Sequence, residues 1–192
     1  MKRVLSIQDI SCIGKCSLTV ALPIISAMGI ETSILPTSIL STHTMFNDFT
    51  FRDLTDDMEP IKKHWQKEGF SFDAIYTGYL GSEKQITLVK DYFKTFGNTC
   101  KYIIVDPAMA DNGKLYSGFD KDFPLKMAKL CKYADVILPN ISEAAFMTGM
   151  PYPGENASNE CIKDLLLSLA KLGSKKIVIT GVESADHKFG FM

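Results

Sequence analysis

The sequence holds five cysteines and three histidines in 192 residues, and no two cysteines have Cys-x-x-Cys spacing. Cys12 and Cys16 lack the Cys or His cluster that a tetrahedral zinc site requires. An odd number of scattered thiols also argues against a disulfide framework; the expectation is reduced cysteines in or near a core, in a reducing compartment. No Ser-His-Asp or Cys-His arrangement can be assembled, which argues against nucleophilic hydrolysis. Gly-x-x-x-x-Gly-Lys-Ser/Thr and Gly-x-Gly-x-x-Gly are both absent, so a Walker phosphate loop and a Rossmann fingerprint have no support. The net charge of −1 is too small for a general electrostatic grip on nucleic acid or an anionic membrane. No apolar run approaches the roughly 18 residues that span a bilayer. The opening Met1-Lys-Arg-Val-Leu-Ser-Ile reaches Gln8 and Asp9 too early for a secretory leader, and the expectation is a cytoplasmic protein that begins on its first strand.

What is present is an alternation of short β-rich runs and amphipathic stretches. Strands are expected at 4–7, 32–35, 74–77, 102–105, 136–138 and 176–180. They are apolar without clean alternation, as parallel strands covered on both faces should be. Leu18, Ala21, Leu22, Ile25 and Met28 fall at helical spacing, with Gly29 as a stop. Ile86, Val89, Phe93 and Phe96 do the same before Gly97, as do Cys161, Leu165, Leu166, Leu169 and Leu172 before Gly173. Helix, glycine, strand, three times over, is the pattern of βαβ units. No repeat or linker interrupts it. Residues 1–192 therefore read as one α/β domain with a doubly wound, mostly parallel sheet and helices on both faces.

Two connections are longer than such a fold needs, from Pro36 to about Asp56 and from Pro107 to about Gly118. Open α/β sheets bind ligands outside the carboxyl ends of their strands, so residues 38–47 and 106–116 are the first candidates. Asp106 ends a strand, with Asp111 a short loop away. The two carboxylates could hold a divalent cation directly or through water, or each could simply close an Asx-type turn. Asn140 follows the next strand and Glu143 stands three residues on. This is the pattern of a helix capping box, and equally of an Asn and a Glu facing a metal-bound nucleotide at a helix N-terminus. Tyr79, in Gly78-Tyr-Leu-Gly-Ser, could present its ring to a planar ligand or serve as a core aromatic. Of the histidines, His64 reads as solvated on a polar helix and His187 as part of a polar turn. His43, in the long loop, is the one with ligand potential.

These runs, in this order, resemble the pyridoxal (vitamin B6) kinases of the ribokinase-like superfamily. The matching segments are Ser6-Ile-Gln-Asp, Ser41-Thr-His-Thr, Thr77-Gly-Tyr-Leu-Gly-Ser, Val105-Asp-Pro-Ala-Met-Ala-Asp-Asn-Gly-Lys-Leu-Tyr, Pro139-Asn-Ile-Ser-Glu-Ala and Ile179-Thr-Gly. They extend over essentially the whole chain. The resemblance implies ATP-dependent phosphorylation of the 5′-hydroxymethyl group of pyridoxal, pyridoxine or pyridoxamine. It implies magnesium with ATP as co-substrate, a potassium ion, and a homodimer that binds neither nucleic acid nor membrane. Carried over position by position, it puts Asp9, His43, Thr44 and Tyr79 on the substrate ring. Asp111, Tyr116, Asn140, Thr180 and Gly181 go to the nucleotide, with Asp111 opening a flexible lid. Asp106 and Glu143 go to the metal.

The match has departures. Asp9 stands where many of these kinases carry serine, and Ala108 replaces a bulkier aliphatic residue. The Gly-x-Gly-Asp run that supplies the family's general base and anion hole is absent from these residues. The expectation is therefore an amino-terminal part of a longer kinase, with no catalytic base of its own and the expected aspartate beyond Met192. Two other readings stay open. One is a hydroxymethylpyrimidine kinase of thiamine synthesis, which shares the phosphate machinery. The other is a non-catalytic protein that binds B6 or nucleotide.

Overall fold

The computed structural model describes residues 1–154, 157–183 and 189–192, with Glu183 and Phe189 described by their backbone alone. His187, expected in a polar turn, lies outside the described residues. The chain forms two compact units, Met1–Ile103 and Ile104–Met192.

The first unit opens with β1 (Arg3–Ile13), α1 (Leu18–Ala27) and β2 (Glu31–Thr42). It continues through β3 (Phe51–Asp53), α2 (Thr55–Lys67), β4 (Ala74–Thr77) and α3 (Glu83–Phe96) to the start of β5 (Tyr102–Val105). Strands run in the order β3-β2-β1-β4. β1 is parallel to both β2 and β4, and only β3 is antiparallel to its neighbour. Leu5 and Ile7 of β1 are fully buried, and so is Ser6 between them, because a strand inside a parallel sheet is covered on both faces. The α3 stripe is buried at Ile86, Val89, Phe93 and Phe96, as its spacing predicts, and Ser82 caps the helix by accepting the Gln85 N–H.

Four expectations are corrected in this unit. β1 runs on to Ile13, so Asp9 lies within the strand, at a register shift between Gln8 and Ile10. β2 runs on to Thr42 through Pro36, and residues 51–53 pair back on it. The loop expected from Pro36 to Asp56 is therefore only residues 43–50. Pro36 is tolerated because it sits at the register shift between β1 and β2, where pairing steps from Gln8 with Pro36 to Ile10 with Ile39 and the ladder is already interrupted. Gly97 does not stop α3 in a left-handed turn; its φ is −63° and the helix tightens into a 3₁₀ turn over Gly97–Thr99. Finally, α1 buries only Leu18 and leaves Leu22, Ile24 and Met28 exposed. Helical spacing reports an apolar stripe but not what covers it.

The second unit contains the hairpin β6 (Ala110–Asp111) and β7 (Lys114–Leu115), followed by α4 (Phe123–Cys131) and β8 (Val136–Ile137). Next come α5 (Ile141–Thr148), α6 (Asn159–Ala170), β9 (Lys176–Ile177), β10 (Thr180–Glu183) and β11 (Phe189–Phe191). Its parallel strands are ordered β5-β8-β9. The buried stripe of α6 is Ile162, Leu165 and Leu169, and Cys161 is exposed just after the Ser158 cap. None of the five cysteines is in a disulfide, but only Cys131 is buried, and Cys12 is exposed like Cys161. The expectation of thiols in or near a core thus holds for Cys131 and fails for those two. Burial, with the nearby Glu143 and Asp106 carboxylates, pushes the Cys131 thiol up to about 12, which makes it inert packing. The expected last parallel strand is also shorter. It stops at Ile177, and Thr180 opens β10, which pairs antiparallel with β11. Among the described residues, no helix is long and apolar enough to cross a membrane.

Candidate functional site

In the first unit the candidate residues lie in the carboxyl half of β1 and just beyond β2 and β4. Asp9 is 4% exposed. One carboxylate oxygen accepts the Ser11 hydroxyl at 3.2 Å, and the other is buried without a protein partner. Burial raises its pKa, and the hydroxyls of Ser17 and Ser11 offset part of the rise. Tyr79 follows β4. Burial raises its phenol pKa first, then the negative charges of Asp9 and Asp53. The sheet thus brings Asp9 and Tyr79 within electrostatic reach of each other, although 69 residues separate their numbers in the sequence.

The backbone around Tyr79 is tightly specified. A Cβ on Gly78 would stand 2.8 Å from the Gln8 Oε1, so any larger residue there would have to displace the buried Gln8 side chain. The Tyr79 carbonyl accepts the Thr37 hydroxyl at 3.2 Å. Two residues on, the Gly81 N–H donates to Gln85 Oε1 at 2.8 Å. The fully buried Gln85 and its partner Asp53 went unnoticed in the sequence reading. The signal existed: Ser82-Glu-Lys-Gln85 has capping-box spacing. His43 is set against the turn after β1, where a Cβ on Gly14 would be 2.8 Å from its ring. Its Nδ1 accepts the Met45 N–H at 3.4 Å, and its ring tilts over Phe46 at 4.8 Å. Thr44 is half-buried in the adjoining turn. His64 is solvated as expected, its side chain 66% exposed.

In the second unit the register places three candidates along one edge. Leu138 N–H donates to the Val105 carbonyl, and Thr180 N–H donates to the Pro139 carbonyl at 2.9 Å. Asn140 and Thr180 form a parallel bridge. Asp106, Asn140 and Thr180 therefore all lie at the carboxyl ends of β5, β8 and β9. The Glu143 carboxylate is buried beneath them. It accepts the Met109 N–H at 3.1 Å and the Asn140 N–H at 2.8 Å. Asn140 returns the contact by accepting the Glu143 N–H at 2.9 Å, which completes a capping box. Burial, then the neighbouring Asp106 charge, holds the Glu143 pKa well above the usual carboxylate range, with the backbone N–H donors opposing.

The connection expected from Pro107 to about Gly118 contains a short hairpin, formed by residues 110–115. Ala110 pairs with Leu115, and Asp111 with Lys114. Asn140 donates its side-chain N–H to the Ala110 carbonyl at 2.7 Å, and Tyr116 N–H donates to the Met109 carbonyl at 2.9 Å. The tip is held as well, by Gly113 N–H donating to the Ser142 hydroxyl at 2.8 Å. Asp111 is exposed and accepts the Asn112 N–H. Gly181 has a φ of +68° at the start of β10.

The phosphomethylpyrimidine kinase family matches over residues 31–189. A candidate phosphomethylpyrimidine kinase from Bacteroides thetaiotaomicron, solved in an orthorhombic form with pyridoxal, is 42% identical with a TM-score of 0.90. It covers 96% of this chain, which spans 64% of that one. Pyridoxal kinase from Lactobacillus plantarum is 35% identical with a TM-score of 0.89, over 100% of this chain and 67% of its own. The pyridoxal kinase PdxY of Actinobacillus pleuropneumoniae is 27% identical over 188 residues, 93% of this chain and 63% of its own length. The chain thus spans about two thirds or less of the length of these relatives.

Proposed function

We propose that this chain, which belongs to the phosphomethylpyrimidine kinase family, serves the ATP-dependent phosphorylation of the 5′-hydroxymethyl group of pyridoxal, pyridoxine or pyridoxamine. The observation that carries the reading is the Asp9 carboxylate, buried within electrostatic reach of Tyr79 and with one oxygen making no protein hydrogen bond. A buried unpaired acceptor is costly unless a ligand completes it. A substituted pyridine supplies what fits, a ring N–H or hydroxyl donor on a flat face that an aromatic ring can cover. The pyridoxal-containing relative at 42% identity supports the same choice.

In this reading the first unit carries the vitamer residues Asp9, His43, Thr44 and Tyr79. The second carries the nucleotide residues Asp111, Tyr116, Asn140, Thr180 and Gly181. We take residues 1–192 as belonging to one catalytic domain that works in the cytoplasm. Phosphoryl transfer asks mainly for positioning and charge neutralisation, which suits residues fixed at strand ends. Magnesium would be held by Asp106 and Glu143. Among the described residues there is no cluster of three or more Asp, Glu, His or Cys side chains that could cage a metal. That suits magnesium, which keeps most of its waters and binds through one or two carboxylates and the nucleotide phosphates. When bound, it would neutralise charge on those phosphates. No residue named above is assigned as proton acceptor. The apolar side chains left exposed along α1, Ile24 with Met28 one turn on among them, suit a homodimer contact.

The test is competition between pyridoxal and hydroxymethylpyrimidine in an ATP-consumption assay of the full-length gene product, with direct titration of each. Preferential use of pyridoxal is the expected result. Preference for the pyrimidine would overturn it in favour of the thiamine-route kinase, and binding of pyridoxal without phosphate transfer in favour of a binding protein.

A further inference from the structure

A single buried amide ties together three elements around Tyr79. Gln85 lies on the first turn of α3 and is fully buried. Its Oε1 accepts the Gly81 N–H at 2.8 Å. Its Nε2 donates to the Thr37 carbonyl of β2 at 3.0 Å and to the Thr55 hydroxyl of α2 at 2.9 Å, with Asp53 Oδ1 a further 3.3 Å contact. Asp53 is itself fixed by accepting the Thr55 N–H at 2.7 Å. Thr37 completes the circuit by donating its hydroxyl to the Tyr79 carbonyl. Both ends of the short segment that carries the Tyr79 ring are therefore held, one through Thr37 and the other directly by Gln85. Gly81 lies close to the Tyr79 ring, which a Cβ added there would meet at 3.6 Å, so the held backbone runs directly beside it.

We infer that Gln85 is the positioning residue of the vitamer side, setting the Tyr79 ring through Gly81 and Thr37 without touching the ligand; this rests on the reading of Tyr79 as a vitamer contact. A methionine in its place fills the same volume but makes none of these bonds. A glutamate keeps the acceptor for Gly81 and, when ionised, loses both donors and puts a second negative charge beside Asp53. Once protonated, it regains one donor. Its pKa at that position is expected to rise, because the site is buried and Asp53 is packed against it; the Tyr79 hydroxyl beside Gly81 is uncharged, and the exposed Lys84 ammonium, which couples to Asp53, opposes only part of the rise.

The experiment titrates pyridoxal and ATP separately into wild type, Gln85→Met and Gln85→Glu, each referred to wild type at the same pH. Gln85→Met should weaken pyridoxal about tenfold, the effect of one or two lost hydrogen bonds, with ATP binding unchanged. Gln85→Glu should be weak at pH 8 and recover toward wild type at pH 6, a recovery that loss of packing alone would not produce. Because glutamate keeps the shape, this arm decides the matter even where Gln85→Met fails to fold. Equal pyridoxal affinity in wild type and Gln85→Met, or a Gln85→Glu deficit that is flat with pH, would overturn the inference. Deuterium exchange at residues 78–82 should be faster in Gln85→Met, with the Tyr102–Val105 strand unchanged; equal rates would overturn the inference whether or not pyridoxal binds. A wild-type chain that fails to bind pyridoxal overturns the vitamer reading, and the exchange rates then decide by themselves whether Gln85 holds the segment.

Discussion

Asn140 and Glu143 hold each other's backbone. The Asn140 side chain accepts the Glu143 N–H at 2.9 Å, and the Glu143 carboxylate accepts the Asn140 N–H at 2.8 Å. The other Glu143 oxygen is also taken, by the Met109 N–H at 3.1 Å. A carboxylate serves both donors, whereas a glutamine has one acceptor and would turn its NH₂ toward the second. Glu143→Gln is therefore not the silent change that a capping box alone would allow. It should lower stability by about 1–3 kcal/mol, the range for one buried donor left unsatisfied. Thermal melts of the two chains check this. If Glu143 also serves magnesium as proposed, the variant should need more magnesium to reach half-maximal ATP binding.

Asp9 should trade stability for binding. Its folded pKa is raised, mainly by burial, above the ordinary value of 3.8. The folded chain then favours the protonated carboxyl, so stability is fully present below 3.8 and is lost as pH rises through the raised folded value. Asp9→Asn keeps the shape and has no such loss. Its melting temperature should match wild type at the acid end of that window and exceed it at neutral pH, while pyridoxal affinity falls. A gap in melting temperature that is independent of pH would refute this assignment of the cost.

The hairpin tip leaves no room for a side chain at Gly113. Its φ is +69°, and a Cβ there would stand 2.5 Å from the Tyr152 ring. Gly113→Ala should cost about 1–2 kcal/mol for the left-handed backbone, and more for displacing Tyr152. Adding Tyr152→Ala should return only the second part. Ser142→Ala should speed amide exchange at Gly113, since it removes the hydroxyl that accepts that N–H. Unaltered exchange there would mean that the hairpin does not rest on Ser142.

Ile24 is 56% exposed on α1, the helix that buries only Leu18. Ile24→Glu adds charge where little packing within the chain is lost, so the thermal stability of the isolated chain should fall by no more than about 1 kcal/mol. Light scattering should then show a dimer for wild type and half that mass for the variant. Equal masses would place the contact elsewhere or remove it.

Much of the fold was legible because periodicity is a local property. The α3 stripe from Ile86 to Phe96 and the apolar runs of β4 and β5 are written in consecutive residues and appear where they were expected. The same logic overshot at α1, whose stripe is as regular but lies largely uncovered. It undershot at β2, where Pro36 read as a strand end. Whether a proline ends a strand depends on whether the neighbour needs its N–H, and that is a fact about β1.

For the candidate site, residue types and strand ends came from the sequence, and the partnerships came from the fold. Asp106, Asn140 and Thr180 were placed on one edge by the rule that parallel strands end together, and the register of β5, β8 and β9 puts them there. By itself the sequence determined which chemical groups exist, to within a residue where the six parallel strands begin, and that a capping box was available at Asn140 and Glu143. Only the tertiary structure decided that the Glu143 carboxylate is buried beside Asp106, that Asp9 lies within reach of Tyr79, and that Gln85 gathers Thr37, Thr55 and Gly81. The physical reason is range. Propensity and capping act over three or four residues along the chain. Desolvation, charge coupling and buried hydrogen bonds depend on distance in space, and sheet pairing brings together residues that the sequence keeps far apart.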